Sequence, residues 1–244
     1  LFTESVEKYG KNPAFWEKET DTYKPTDYIT LYQQSLYMAA TLKSFGIAPG
    51  DRVALLSHGR KDWLVSELGI FFARGINVPL STKLESVDLA FRLKHSTTKV
   101  LIISAMQYPK LADEIQNISS LEKVILLDNQ KINNDKEIHI SKVFEIGKQL
   151  LESDSQYLAK EIAAIDEEDD ALISYTSGTS ADPKGVVLSH KNLWVNSLQC
   201  SEFFPLKEDL VSLLILPLDH SFAHTALMYT VMRYGASLAS VHQG

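Results

Sequence analysis

The chain has 244 residues, 45% hydrophobic and 23% charged, the balance of one large soluble domain or two small ones. Its formal net charge of −7 argues against a nucleic-acid binder, which would carry a basic face. The single cysteine, Cys200, excludes an intrachain disulfide and fits a cytoplasmic, reducing setting.

In chain order, the first helical pattern is "TLYQQSLYMAATLKSFG". Thr30 and Gln33 stand at capping-box spacing, Leu31, Met38, Leu42 and Phe45 share a face, and Gly46 closes it. "VALLS" (Val53 to Ser57) then reads as a strand. "KDWLVSELGIFFARG" reads as a second helix, with Leu64, Leu68, Phe71 and Phe72 on one face and Gly75 at its end. "SVDLAFRLKHS" is a third helix between strands, followed by "KVLIIS" (Lys99 to Ser104) and "KVILLD" (Lys123 to Asp128). "NQKINNDKE" reads as an exposed turn and "DEEDD" as a solvated acidic run. "ALISYT" (Ala171 to Thr176), "GVVLS" (Gly185 to Ser189), "LVSLLILP" (Leu210 to Pro217) and "ASLASV" (Ala236 to Val241) are further strands, and "SFAHTALMYTVMRYG" is a helix closing at Gly235. Trp16, Trp63 and Trp194 read as packing residues.

Most of these strands are continuous apolar runs, the mark of strands covered on both faces. With helices between them they predict an α/β fold of doubly wound, mostly parallel sheets with helices on both faces. No apolar run reaches the roughly 20 residues of a membrane span, so no transmembrane segment is expected. Peripheral membrane contact and oligomeric state stay open. The chain starts at Leu1, not Met, and stops at Gly244 just after a strand-like run, so both ends read as cuts in a longer protein.

In such sheets ligands bind beyond the carboxyl ends of strands. Two chemically rich segments follow strands here, "YTSGTSADPKGVVLSH" (Tyr175 to His190) and "LPLDHSFAHT". In the first, Gly178 and Gly185 let the backbone approach a ligand. Thr176, Ser177, Thr179 and Ser180 supply hydroxyls, Pro183 stiffens the loop end, and Lys184 brings a mobile positive charge. These parts suit a polyphosphate such as ATP. The spacing does not fit the Walker pattern, because Pro183 precedes Lys184 and Gly185 follows it. On composition alone a phosphate loop and a polar inter-strand turn both remain open.

The first segment is closely similar to the phosphate loop of the adenylate-forming superfamily, approximately Thr-Ser-Gly-Thr-Thr-Gly-x-Pro-Lys-Gly. It matches at Thr176, Ser177, Gly178, Thr179, Pro183, Lys184 and Gly185, and departs at Ser180 and at Ala181, where glycine is usual. "LPLDHSFAHT" resembles the next motif of the superfamily, at Pro217, Leu218, His220 and Phe222. "GIAPGDRVALLSHGRKDWLVSELGIFFARGINVPLS" and "LAFRLKHSTTKVLII" resemble its early segments, and "SHGRKDW" is most like the long-chain fatty acyl-CoA synthetases.

The resemblance implies ATP-dependent activation of a carboxylic acid, here a long-chain fatty acid, through an acyl-adenylate to its CoA thioester. Thr176, Ser177, Gly178, Thr179, Ser180, Lys184 and Gly185 would form the nucleotide loop. His220 would lie by the carboxylate and α-phosphate, Phe222 by the acyl chain, with Lys184 and His220 catalytic. Mg²⁺ would be held mainly beyond residue 244. Residues 1–244 would be an incomplete N-terminal AMP-binding domain, without its remainder or the small C-terminal domain, and so without turnover. The alternatives are a non-catalytic member that binds nucleotide or acyl chains for regulation, motivated by Ala181, and a luciferase-like oxygenase. His220 and His224 stand at i, i+4, but the zincin pattern needs glutamate where Ser221 is, and no metal site is expected.

Overall fold

The computed structural model describes residues 1–176, 182–204 and 206–243. After α1 (Phe2–Tyr9), the hairpin of β1 (Pro13–Glu19) and β2 (Thr22–Asp27) leads into α2 (Tyr28–Ser44). Then β3 (Arg52–Leu56), α3 (Lys61–Phe72), β4 (Ile76–Pro79), α4 (Ser86–His95) and β5 (Val100–Ile103) alternate. They are followed by β6 (Lys123–Leu126), β7 (Glu137–His139), α5 (Ile140–Ser153) and α6 (Ala159–Ala163). The chain continues through β8 (Asp170–Thr176), β9 (Lys184–Ser189), α7 (His190–Phe203) and β10 (Val211–Leu214). A π-helical segment (Ala223–Tyr229), α8 (Thr230–Arg233) and β11 (Ser237–Gln243) complete it.

The strands form two sheets, a seven-stranded one in the order β7-β6-β5-β3-β4-β8-β9 and a four-stranded one in the order β10-β11-β1-β2. Every pairing is parallel except β1 with β2 and β8 with β9. The expected mostly parallel α/β class is what the chain adopts. Side chains of β3 alternate between two cores, as its period of two requires. Val53 and Leu55 join α2, α3 and the four-stranded sheet. Ala54 and Leu56 face α4 across the other side. An apolar run without alternation is therefore correct for a strand with two buried faces. Among the described residues, no helix is long and apolar enough to cross a membrane.

Several local expectations are corrected. Helix α2 starts three residues early: Asp27 caps it, accepting from the Thr30 N–H at 2.7 Å, so Thr30 is the donor and not the cap. Gly46 does turn left-handed at its end, with φ +87°. At the end of α3 it is Arg74, not Gly75, that takes positive φ, at 60°. Arg74 accepts this strained backbone while its guanidinium pairs with Asp169 at 3.1 Å. Helix α3 has no polar face: every residue from Asp62 to Phe72 is buried. The run at Leu210 gives only the four-residue edge strand β10, with Leu213 and Ile215 exposed. Strands β1, β2 and β7 carry too few apolar residues to be read from sequence. β2 holds Pro25, which an edge strand tolerates.

Candidate functional site

Strands β8 and β9 form an antiparallel hairpin, and the phosphate-loop segment is its connection. Thr176 pairs with Lys184 and Tyr175 with Gly185. Such cross-strand pairs hold their Cβ atoms about 5 Å apart. Thr176 and Lys184 are both exposed at the mouth of the hairpin. Ser177, Gly178, Thr179, Ser180 and Ala181 lie outside the described residues. The segment thus connects two paired antiparallel strands, one of the two readings its composition allows.

The last inward residue before the loop, Tyr175, is tied to α4. Its hydroxyl lies 2.8 Å from His95 Nδ1 and donates to the Arg92 carbonyl at 3.4 Å. The Arg92 guanidinium sits 5.6 Å from its ring centroid, a cation–π contact. Burial pushes the Tyr175 hydroxyl above its ordinary value, so it stays protonated and keeps donating. Gly185 lies opposite: a Cβ there would come within 2.9 Å of Ile173 Cγ2 and 3.6 Å of the Tyr175 ring. Sequence reasoning missed Tyr175 and Arg92. The aromatic before the loop and a buried cation in an otherwise apolar helix face were the available signals.

The second motif follows β10. Leu218 is buried, whereas His220 and Phe222 are exposed, Phe222 by 60%. Its backbone is folded into a turn, with the His220 N–H donating to the Pro217 carbonyl at 3.2 Å. Leu214 and Leu218 pack on Gly59, where a Cβ would lie 2.5 Å from Leu214 Cδ2 and 3.6 Å from Leu218 Cδ1. Gly59 belongs to the loop after β3, the strand at which the order of the large sheet reverses. That is where an α/β sheet opens a crevice. Arg60 in the same loop bonds Asp128, beyond β6, at 2.6 Å. β8 is two strands from β3, roughly 10 Å. The two motifs therefore share one edge of the sheet. Among the described residues, no hydrogen bond or ion pair joins Lys184 to His220.

His224 lies in the π-helical segment. It is wholly buried, with Nε2 at 2.9 Å from Glu67 Oε2. The Tyr229 hydroxyl donates to the other oxygen of the same carboxylate. Trp63 packs on the His224 ring at 5.1 Å, as expected of a packing residue. Trp16 does more than pack, because its indole N–H donates to Ser237 Oγ at 3.0 Å. Trp194 is 40% exposed and lines a cavity of about 360 Å³ with Phe71, Phe72, Leu193 and Tyr229. The cavity lies by His190, at the far end of the hairpin from Lys184, roughly 20 Å along the strands. Among the described residues, no group of three or more His, Cys, Asp or Glu side chains could hold a metal ion.

Comparison with known proteins agrees with this geometry. A long-chain-fatty-acid–[acyl-carrier-protein] ligase of Arabidopsis thaliana is 28% identical, over 96% of this chain and 35% of that protein. A long-chain-fatty-acid–CoA ligase of Bacillus subtilis is 25% identical, over 95% of this chain and 42% of its own length. The chain thus spans well under half of these relatives. Among solved structures, a long-chain-fatty-acid–CoA ligase from Archaeoglobus fulgidus superposes with a TM-score of 0.82 at 20% identity, over 100% of this chain and 46% of that one. The model of the AMP-binding enzyme family matches residues 2–244, and the chain belongs to that family.

Proposed function

We propose that the protein of which this chain forms the N-terminal part activates a long-chain fatty acid with ATP and transfers it to CoA. A carboxylate oxygen attacks the α-phosphorus, the bond to the bridging β-phosphate oxygen breaks, and pyrophosphate leaves. The thiolate of CoA then attacks the acyl carbon of the adenylate, and AMP leaves as the thioester forms. In this reading Thr176, Ser177, Gly178, Thr179, Ser180, Lys184 and Gly185 cradle the β- and γ-phosphates. Backbone N–H groups, hydroxyls and one ammonium neutralise charge on the departing pyrophosphate. His220 orients the carboxylate at the α-phosphate and Phe222 contacts the acyl chain. Among the described residues no group of three or more His, Cys, Asp or Glu side chains could hold Mg²⁺, so in this reading its main ligand lies beyond Gly244, where the ion would help neutralise the phosphate charge. A cytoplasmic setting belongs to the same reading.

The observation that carries it is the family match over 2–244 together with Lys184 and Thr176 facing each other, exposed, at the mouth of the hairpin. The test uses the intact protein. AMP release should require fatty acid, ATP and a thiol acceptor, and Lys184→Ala should slow it roughly a hundredfold, the scale of one lost transition-state donor. Parallel assays with CoA and with an acyl carrier protein decide the acceptor, since relatives of both kinds are similar to this chain. AMP release that needs no acceptor and prefers an amino acid would overturn the reading.

A further inference from the structure

Glu67 is a carboxylate with no exposed surface in the middle of α3, a helix buried on all sides. An unpartnered carboxylate there would be costly. Its two oxygens are instead taken by His224 Nε2 and by the Tyr229 hydroxyl, which stand five residues apart in sequence. Burial, with Glu67 beside it, pushes the Tyr229 hydroxyl far above its ordinary value, so it remains a donor.

Residues five apart do not share a face of an α-helix: at about 100° per residue they point some 140° apart. In a π-helix they lie about one turn apart and can reach the same group. Ala223–Tyr229 is such a segment, and the Thr230 N–H reaches back five residues to the Thr225 carbonyl. The Thr230 hydroxyl donates to that same carbonyl at 2.7 Å. The π register and the double engagement of Glu67 therefore require each other. Downstream, α8 and β11 anchor the segment, with β11 paired between β1 and β10. Relaxation to an α-helix would have to be taken up on the other side, rotating the residues before Ala223 by about one position, near 100°. Those residues are His220 and Phe222, and the first turn is continuous with them through the His224 N–H, which donates to the His220 carbonyl at 3.2 Å.

We propose that Glu67 is a positioning residue that holds Ala223–Tyr229 in its π register and thereby sets the direction in which His220 and Phe222 project. The part of this concerning catalysis rests on the proposed roles of His220 and Phe222; the register lock does not. Glu67 lies 157 residues from His224 in sequence, and among the described residues no hydrogen bond or ion pair joins it to His220 or Phe222 themselves.

The experiment compares Glu67→Leu, Glu67→Gln and Tyr229→Phe in the intact protein by kinetics and by amide hydrogen exchange over residues 220–230. Glu67→Leu should speed exchange in that segment about tenfold while α2 keeps its protection, and Glu67→Gln, which retains one acceptor, should fall between it and wild type. In turnover, Glu67→Leu should raise KM for the fatty acid and lower kcat about tenfold with KM for ATP within about twofold, because the phosphate loop belongs to another element. Unchanged exchange in 220–230 for both Glu67 variants would overturn the lock, whatever the activity. Faster exchange with kcat and fatty-acid KM at wild-type values would overturn the positioning role. If wild-type protein releases no AMP with any carboxylic acid, the functional reading fails, and exchange still decides the lock.

Discussion

Gly185 shows how one atom can govern the mouth of the β8–β9 hairpin. It precedes no sharp turn, and its need for a missing Cβ comes from Ile173 Cγ2, which a Cβ would approach to 2.9 Å across the strand pair. Gly185→Ala should push the Ile173 side chain aside and cost roughly 1–3 kcal/mol of stability, the usual range for overpacking. Thermal unfolding should show that loss, and in the intact protein KM for ATP should rise while KM for the acid stays level. A rise confined to the acid would show that the strand mouth does not shape the proposed ATP site. Gly185, Lys184 and His220 were readable as site candidates because their types are unusual between apolar runs. Glu67 and Tyr175 were not, because their partners lie far away in sequence.

The start of α7 is where an element feels pH. Ser189 caps the helix through a reciprocal pair with Asn192, and the His190 N–H donates to the Asp169 carbonyl at 3.1 Å. The His190 ring packs edge-on to Phe71 of α3 at 4.9 Å. Burial lowers its pKa below the ordinary 6.5, and the nearby Asp169 and Glu67 offset this only in part. The unfolded chain therefore binds more protons than the folded one in the window between the lowered value and 6.5. The stability concerned is fully present above the unfolded value and is lost as pH falls through the folded one. His190→Phe, which keeps a ring against Phe71, should flatten the fall in stability as pH drops from neutral through 6.5 and on through the lowered folded value. Denaturant melts at several pH values measure this, and an unchanged slope would exclude His190 as its source. Among the elements, β3, β5, β6 and β8 were legible as buried runs. β1 and β2 were not, since a half-exposed hairpin at an edge leaves little apolar pattern. The π-segment was readable only as helix, because one periodicity blurs into the other over seven residues.

At the scale of the molecule, the two motifs come to one end of the large sheet, and their described polar residues Thr176, Lys184 and His220 stay open to water. Lys184, His220 and Phe222 are all exposed, as are Val187 on edge strand β9 and Leu213 on edge strand β10. Exposed charges in water act weakly, and an adenylation site needs them desolvated. Residues 1–244 by themselves should therefore show no pyrophosphate exchange with any fatty acid, whereas the intact protein should. Robust, Lys184-dependent exchange by the isolated chain would refute this. The exposed apolar edges, β9 and β10 with Phe203 and Phe204, are of the kind that pair with further protein.

The sequence by itself determined the α/β class, the buried strands and the two motif-bearing segments. Each of these is written in local composition and spacing, which a strand period or a run of hydroxyls and glycines carries without reference to the rest of the chain. Only the tertiary structure decided that β8 and β9 pair antiparallel, that the strands divide into two sheets, and that Leu218 packs at the reversal of strand order. It alone showed that Glu67 gathers His224 and Tyr229. The physical reason is the same in each case: these arrangements are settled by burial and hydrogen bonding between residues from 8 positions apart, as Thr176 with Lys184, to 223, as Phe15 with Leu238, and local periodicity does not encode which partner satisfies a buried group.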